Sequence, residues 1–405
     1  MPSPFSAKFL RNPQLNRVGQ LMDATRLIQR TLAGLTARAA PKADKPPSAR
    51  TARGDRPAAR NGLVIDAVLR EIHTAEGDTS LDSVPPMPAT SAPRSPVSAR
   101  DSEAPARDGA PQPAPAAFKS DVFTRAGTTW PYRLYVPSGT ADEPLPLIVL
   151  LHGCTQTATD FALGTEMNQL AEERKCLVLY PEQIQRANSS RCWNWFEPGN
   201  QKRGSGEPGM IAALVKLVMS SHKVDPARIY VTGLSAGGAM AAVMAGLYPD
   251  VFAAVGVHSG LPCGAAHDIP SAFTAMRSGN PPQPAGRAKA VHAMPTIVFH
   301  GTADKTVHPD NGENIVAAAV KAAAQGGVTL SRDETRHDGS GARTARLTRY
   351  TVPDGTPWVE HWEVASGPHG WSGGNTSGSY TDPTGPSASA AMLDFFLRHR
   401  LASAS

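Results

Sequence analysis

Ser235 stands in the stretch "RIYVTGLSAGGAMAAVMAG", residues 228–246, where a β-branched run gives way to an alanine-rich one. Ile229, Tyr230, Val231 and Thr232 read as a short buried strand, and residues 239–245 as a helix without a breaker. The serine falls on the turn between them. A strand-to-helix turn this tight leaves no room for bulk beside it, and Gly233, Gly237 and Gly238 carry no Cβ to clash. The pattern Gly-x-Ser-x-Gly between strand and helix is that of a nucleophile elbow, in which a sharp turn presents a serine hydroxyl.

A serine hydroxyl is a poor nucleophile at neutral pH and needs a base, which in turn needs an orienting acid. After an elbow of this kind the partners follow in the order acid, then histidine. Five of the twelve histidines then qualify: His308, His337, His361, His369 and His399. His399 reads as part of a closing helix, His361 as a strand residue in "PWVEHWEV", His337 as part of a polar surface turn in "RHDGSG", and His308 crowds the acid itself. His369 lies in "ASGPHGWSGG", a glycine-rich loop directly after a strand, and is the preferred base. For the acid, "TIVFHGTADKTVHPDNGENI" offers two carboxylates. Asp304 sits just past a strand, where it can meet an imidazole; Asp310 reads as an N-terminal helix cap.

A strand ending in His-Gly before a polar loop, "LLHGCTQTATDFA", can aim the backbone N–H of Cys154 at the same point as that of Ala236. Two such donors form an oxyanion hole, each worth about 3 kcal/mol in the transition state. Cys154 is equally readable as a small packed residue, and His152 as an assistant to the hole or as packing behind it. Trp193 and Trp195 in "CWNWF", with Phe196 and with Trp371 beside the base, suit either an acyl-site wall or the core.

These groups need a rigid frame. "PLIVLLH", "CLVLYP", "RIYVTG", "FAAVGVH" and "TIVFHG" are continuous apolar runs, the mark of strands buried on both faces of a parallel sheet. They alternate with helical stretches, so an α/β fold with a mostly parallel central sheet and helices on both faces is expected. "KSDVFTR" and "PYRLYVP" read as an antiparallel start, and residues 390–401 as the closing helix.

The first third differs. Residues 41–116 hold thirteen prolines and no Phe, Trp or Tyr, a composition that cannot bury enough apolar surface to offset ordering entropy. Three segments follow: an amphipathic helix within 1–34, a disordered Pro/Ala/Arg-rich linker over 35–117 with a transient helix at 62–73, and a catalytic domain over 118–402. Residues 1–60 carry twelve Lys or Arg against three Asp or Glu, a net +9 in a chain of +5. A basic arm of this kind suits a polyanionic or anionic surface, or is simply solvated; without interleaved aromatics, nucleic acid is not expected as a partner. No eighteen-residue apolar run and no secretory h-region are read, which points to the cytoplasm, with an extracellular location as the alternative. Cys154, Cys176, Cys192 and Cys263 are too few and too spread for a disulfide scaffold or a zinc site, though one bridge is compatible with them.

On seven motifs in order, "LHGCTQ", "YPEQ", "CWNWF", "GEPGMI", "VDPARIYVTGLSAGGAM", "HGTADKTV" and "PHGWSGG", residues 118–402 resemble the poly(3-hydroxybutyrate) depolymerase-type esterases of the α/β-hydrolase superfamily. The resemblance implies a serine carboxylesterase with Ser235, Asp304 and His369 as its triad and no metal or organic cofactor. Its substrates would be esters of 3-hydroxyalkanoates or related acyl groups. Some relatives hydrolyse plant cell-wall esters, so a feruloyl or acetylxylan esterase is the alternative. Relatives that erode solid polymer generally carry a signal peptide and a C-terminal binding module; neither is read here, so oligomers and short acyl esters are expected ahead of solid polymer. Outside enzymes, the alternative is a granule- or membrane-associated binding protein with a silent hydrolase body.

Overall fold

The computed structural model describes residues 115–139, 143–279, 292–338 and 343–401. The readings of an N-terminal helix over 1–34, a helix at 62–73 and nearly all of the linker lie outside these residues. The linker's last three residues, 115–117, do not, and the last of them opens β1 (Ala117–Arg125), which pairs antiparallel with β2 (Thr128–Val136), the antiparallel start expected.

A ten-stranded sheet follows in the order β1-β2-β4-β3-β5-β6-β7-β10-β9-β8. Its parallel centre consists of β3 (Leu145–Leu151), β4 (Leu177–Pro181), β5 (Val224–Leu234), β6 (Ala254–His258), β7 (Thr296–Gly301) and β10 (Pro357–Val364). The period-two rule of strands explains why these runs are apolar throughout. Leu147, Val149 and Leu151 enter one core with Ile229, Val231, Val257 and Val298, whereas Ile148 and Leu150 enter the other with Tyr230, Ile297 and Phe299. Helices cover both faces. α3 (Gly206–Ser221), α4 (Ala236–Leu247), α5 (Ile269–Ser278) and α6 (Asp310–Gln325) pack on the first core. α1 (Ala158–Thr165), α2 (Met167–Arg174) and α7 (Ala388–Phe396) pack on the second.

Three expectations are corrected. His337 is not in a surface turn but in β8 (Ser331–Asp338), a fully exposed edge strand held by antiparallel pairing with β9 (Thr344–Thr351). Its ring lies edge-on to Trp362, with centroids 4.9 Å apart. His399 lies beyond the closing helix, which ends at Phe396. Asp310 is the first helical residue of α6 and does not cap it; its carboxylate sits 3.2 Å from His308 Nδ1.

Candidate active site

Ser235 occupies the turn between β5 and α4 with φ 57° and ψ −118°, a region that residues with a Cβ rarely adopt. Its hydroxyl makes no capping bond to the helix it precedes. The glycines are required by close approach: a Cβ on Gly237 would fall 2.0 Å from Leu151 O and 2.5 Å from His152 O, and one on Gly233 would fall 2.6 Å from Gly237 C. The elbow is thereby pressed against the loop that follows β3. Ala236 N–H, the first of α4, has no acceptor within its own helix. The Cys154 loop and Ala236 are thus brought to one place at the end of the sheet.

Asp304 and His369 leave the same end of the sheet. Asp304 lies in the turn after β7, and His369 in the loop after β10; both strands run parallel to β5, and β6 separates β5 from β7. His369 Nδ1 lies 2.7 Å from Asp304 Oδ2. The two loops are laced together by Ala303 N–H to Gly367 O (3.1 Å), Thr302 N–H to Val364 O (2.9 Å) and Ser366 N–H to Thr302 Oγ1 (2.8 Å). Asp304 Oδ1 accepts from Thr306 N–H (2.8 Å) and Val307 N–H (2.9 Å), and His300 Nε2 approaches Oδ2 at 3.5 Å. Burial by itself would raise this carboxyl's pKa, but the His369 and His300 rings beside it hold it far below the usual range. It is therefore ionised, accepts the imidazole N–H, and leaves Nε2 as the free face of His369. Among the described residues no hydrogen bond joins Ser235 Oγ to that ring; the Asp304–His369 pair is formed without it.

The loop carrying Cys154 is braced from the "CWNWF" segment and the residues just before it. Cys154 and Cys192 form a disulfide, with Cα atoms 4.2 Å apart. Thr155 N–H donates to Ser190 O (2.6 Å), and Trp193 Nε1–H to His152 O (3.1 Å). His152 packs behind the hole: its Nε2 accepts from Gln183 N–H at 3.0 Å. Gln156 Oε1 accepts Gly153 N–H (2.9 Å), while its Nε2 donates to Ser379 O and Asp160 Oδ2, each at 3.0 Å, tying this loop to the chain beyond His369. Trp193, Trp195 and Trp371 are 0%, 4% and 1% exposed. Of the two readings open for them, acyl-site wall or core, that burial favours the core; Trp371 joins the second core, its Nε1–H bonded to Ser389 Oγ.

Gln156, His258, His300 and the partner of Cys154 were not distinguished in the sequence. The order rule discards every histidine ahead of the acid, and contacts spanning 38 residues for Cys154, 114 for His258 and 223 for Gln156 leave no local pattern. Among the described residues no group of three or more His, Cys, Asp or Glu side chains is placed to hold a metal ion.

A family model described as "Esterase PHB depolymerase" matches residues 130–353, more than half of the chain. The chain belongs to this family. The match ends before His369, whose assignment as base rests on its bond to Asp304. The chain is 37% identical over 245 residues to a poly(3-hydroxyalkanoate) depolymerase C of Paucimonas lemoignei, covering 58% of this chain and 57% of that one. It is 33% identical over 193 residues to a probable acetylxylan esterase A of Aspergillus fumigatus, covering 44% and 51%. The chain thus spans about half the length of the curated relatives it matches. An acetyl xylan esterase from Aspergillus awamori superposes with a TM-score of 0.53 at 20% identity, over 69% of this chain and 98% of that one, which shows the shared α/β-hydrolase fold.

Proposed function

We propose that this member of the family is a serine carboxylesterase acting on short acyl esters, 3-hydroxyalkanoate oligomers among them. The observation that carries the reading is the 2.7 Å pair of His369 and Asp304 on the sheet edge where the strained elbow holds Ser235. Ser235 Oγ attacks the ester carbonyl as His369 Nε2 takes its proton, and the N–H groups of Cys154 and Ala236 hold the resulting oxyanion. The imidazolium gives that proton to the departing alcohol. Water then attacks the acyl-enzyme with His369 again as base, releasing the acid and restoring Ser235. Asp304 holds the imidazole tautomer and stabilises the imidazolium.

Among the described residues the exposed large apolar side chains are Val122, Leu163, Leu217 and Ile269, on four different elements. The acetylxylan esterase relatives support a second reading, hydrolysis of acetyl or feruloyl esters of plant polysaccharide. The Cys154–Cys192 bridge favours an oxidising compartment over the cytoplasm. No helix among the described residues is long and apolar enough to cross a membrane.

The test offers one preparation p-nitrophenyl butyrate, soluble 3-hydroxybutyrate oligomers, solid polymer, acetylated xylan and methyl ferulate. Higher kcat/KM on butyrate and oligomers than on the plant esters is expected. Preference for acetylated xylan would establish the second reading, and no hydrolysis above background would defeat both, leaving a binding protein.

A further inference from the structure

His258 closes β6 beside the nucleophile, 1% exposed, and no step of acyl transfer uses it. It touches both halves of the site. Its backbone carbonyl accepts Ser235 N–H at 2.9 Å, extending the β5–β6 ladder into the elbow. Its ring Nε2 accepts Ser372 N–H at 2.9 Å, three residues beyond His369. The ring stacks between Phe299 (5.7 Å, 18°) and Trp371 (5.0 Å, 25°), and Nδ1 lies 3.2 Å from Ser259 Oγ.

We propose that His258 is a positioning residue, whose Nε2 fixes the loop carrying His369 relative to the turn carrying Ser235. The hydrogen bonds determine its chemical form. An Nε2 that accepts places the ring proton on Nδ1, which donates to Ser259 Oγ. A protonated ring would set an Nε2–H against Ser372 N–H; burial opposes that form and pushes the ring down to about 3. Residues 366–374, "SGPHGWSGG", contain four glycines. Before His369 the loop is held at residues 302 and 303, and after it by Trp371 N–H to Tyr380 O (2.7 Å), Gly373 N–H to Asp382 O (2.8 Å) and Ser372 Oγ–H to Pro386 O (2.7 Å), while Ser372 N–H to His258 Nε2 ties it directly to the strand end that also holds Ser235 N–H. Ser372 N–H is buried, so removing its acceptor leaves an unpaired donor that the loop relieves by moving. Such movement displaces His369 Nε2 from Ser235, where a shift on the order of 1 Å lowers the rate about 100-fold.

The kinetic consequence rests on the esterase reading; the pin does not, and two measurements separate them. His258→Phe keeps a stacking ring without an acceptor, His258→Asn keeps an amide too short to reach Ser372, and His258→Gln brings an amide oxygen close to where Nε2 stood. For Phe and Asn, kcat should fall about 10- to 100-fold with KM within about twofold, and Gln should recover most of the loss. Deuterium uptake at 370–374 should rise in Phe and Asn and stay near the unsubstituted level in Gln. Having both Phe and Asn guards against either failing to fold, which thermal unfolding reports. Equal uptake in all forms overturns the pin, as does a Gln variant as impaired as Phe. Raised uptake with unchanged kcat overturns the positioning role. No hydrolysis by the unsubstituted chain would count against the esterase reading, with uptake still deciding whether Nε2 holds Ser372.

Discussion

An alanine at position 235 meets the same backbone strain as serine, because both carry a Cβ at φ 57°. Ser235→Ala should therefore leave the unfolding temperature unchanged while lowering kcat on p-nitrophenyl butyrate by about 10⁴-fold or more, the residue being what the oxyanion donors supply. Retention of the unsubstituted rate would remove Ser235 from the mechanism. The two carboxylates separate in the same assay. In Asp304→Asn a single oxygen remains to accept from Thr306 N–H and Val307 N–H, so the amide NH₂ turns toward His369 and forces the wrong tautomer; kcat should fall about 10⁴-fold. Asp310→Asn weakens only a charge in the first turn of α6 and should cost about 0.3–1 kcal/mol in denaturant unfolding with kcat unchanged. A dead Asp310 variant would reverse that assignment. Ser235, Asp304 and His369 could be singled out in the sequence because each lies within a few residues of a strand end, where type and spacing carry the information, and the structure brings Asp304 and His369 into contact. His258 was not, since its role depends on β6 lying between β5 and β7 and on a bond to a residue 114 positions away.

The central strands were legible for a related reason: burial on both faces leaves continuous apolar runs, and "TIVFHG" coincides with β7 residue for residue. β8 left no such trace, because every residue of "SRDETRHD" is exposed and only its register with β9 makes it a strand. The segment over 188–207 was the other gap. It has almost no regular structure and is organised by Glu207 at the start of α3, whose carboxylate accepts from Gln183 Nε2, Asn194 Nδ2 and Asn194 N–H. Burial pushes Glu207 up to about 7, while those three donors limit the rise. The sign of the linkage follows. A raised folded-state pKa gives stability that is complete below the ordinary value of 4.5 and is lost as pH rises through about 7. The native state thus becomes less stable across that window by on the order of 3 kcal/mol from this group. Glu207→Gln has no such titration, so its unfolding free energy relative to the unsubstituted chain should improve between pH 4.5 and pH 8. Parallel pH profiles for the two forms would show that the donors hold the carboxylate ionised throughout.

At the scale of the whole chain, the proposed catalytic groups and both cores belong to the described residues from Ala117 onward, while the charge is unevenly placed: residues 1–60 carry +9 of a total +5, leaving −4 for the remainder. β1 pairs with β2 from Ala117 to Arg125, so a truncation that ends before Ala117 preserves the sheet edge. Removing residues 1–114 should leave kcat and KM on p-nitrophenyl butyrate within about twofold, since no group of the acyl-transfer scheme lies among them. Attachment is where a difference is expected. In the sequence Leu15, Val18, Met22, Thr25, Ile28 and Leu32 repeat at three- and four-residue steps, as one face of a helix would, and beside them the arginines and lysines suit anionic lipid or the coat of a polymer granule. The full chain should sediment with anionic vesicles or granules at low salt and be released as ionic strength rises and the Debye length shrinks from about 30 Å at 0.01 M to about 10 Å at 0.1 M. The truncated chain should stay in the supernatant throughout. If both forms sediment alike, the basic arm is a solvated tail; if the full chain stays bound at high salt, apolar burial outweighs charge in the attachment.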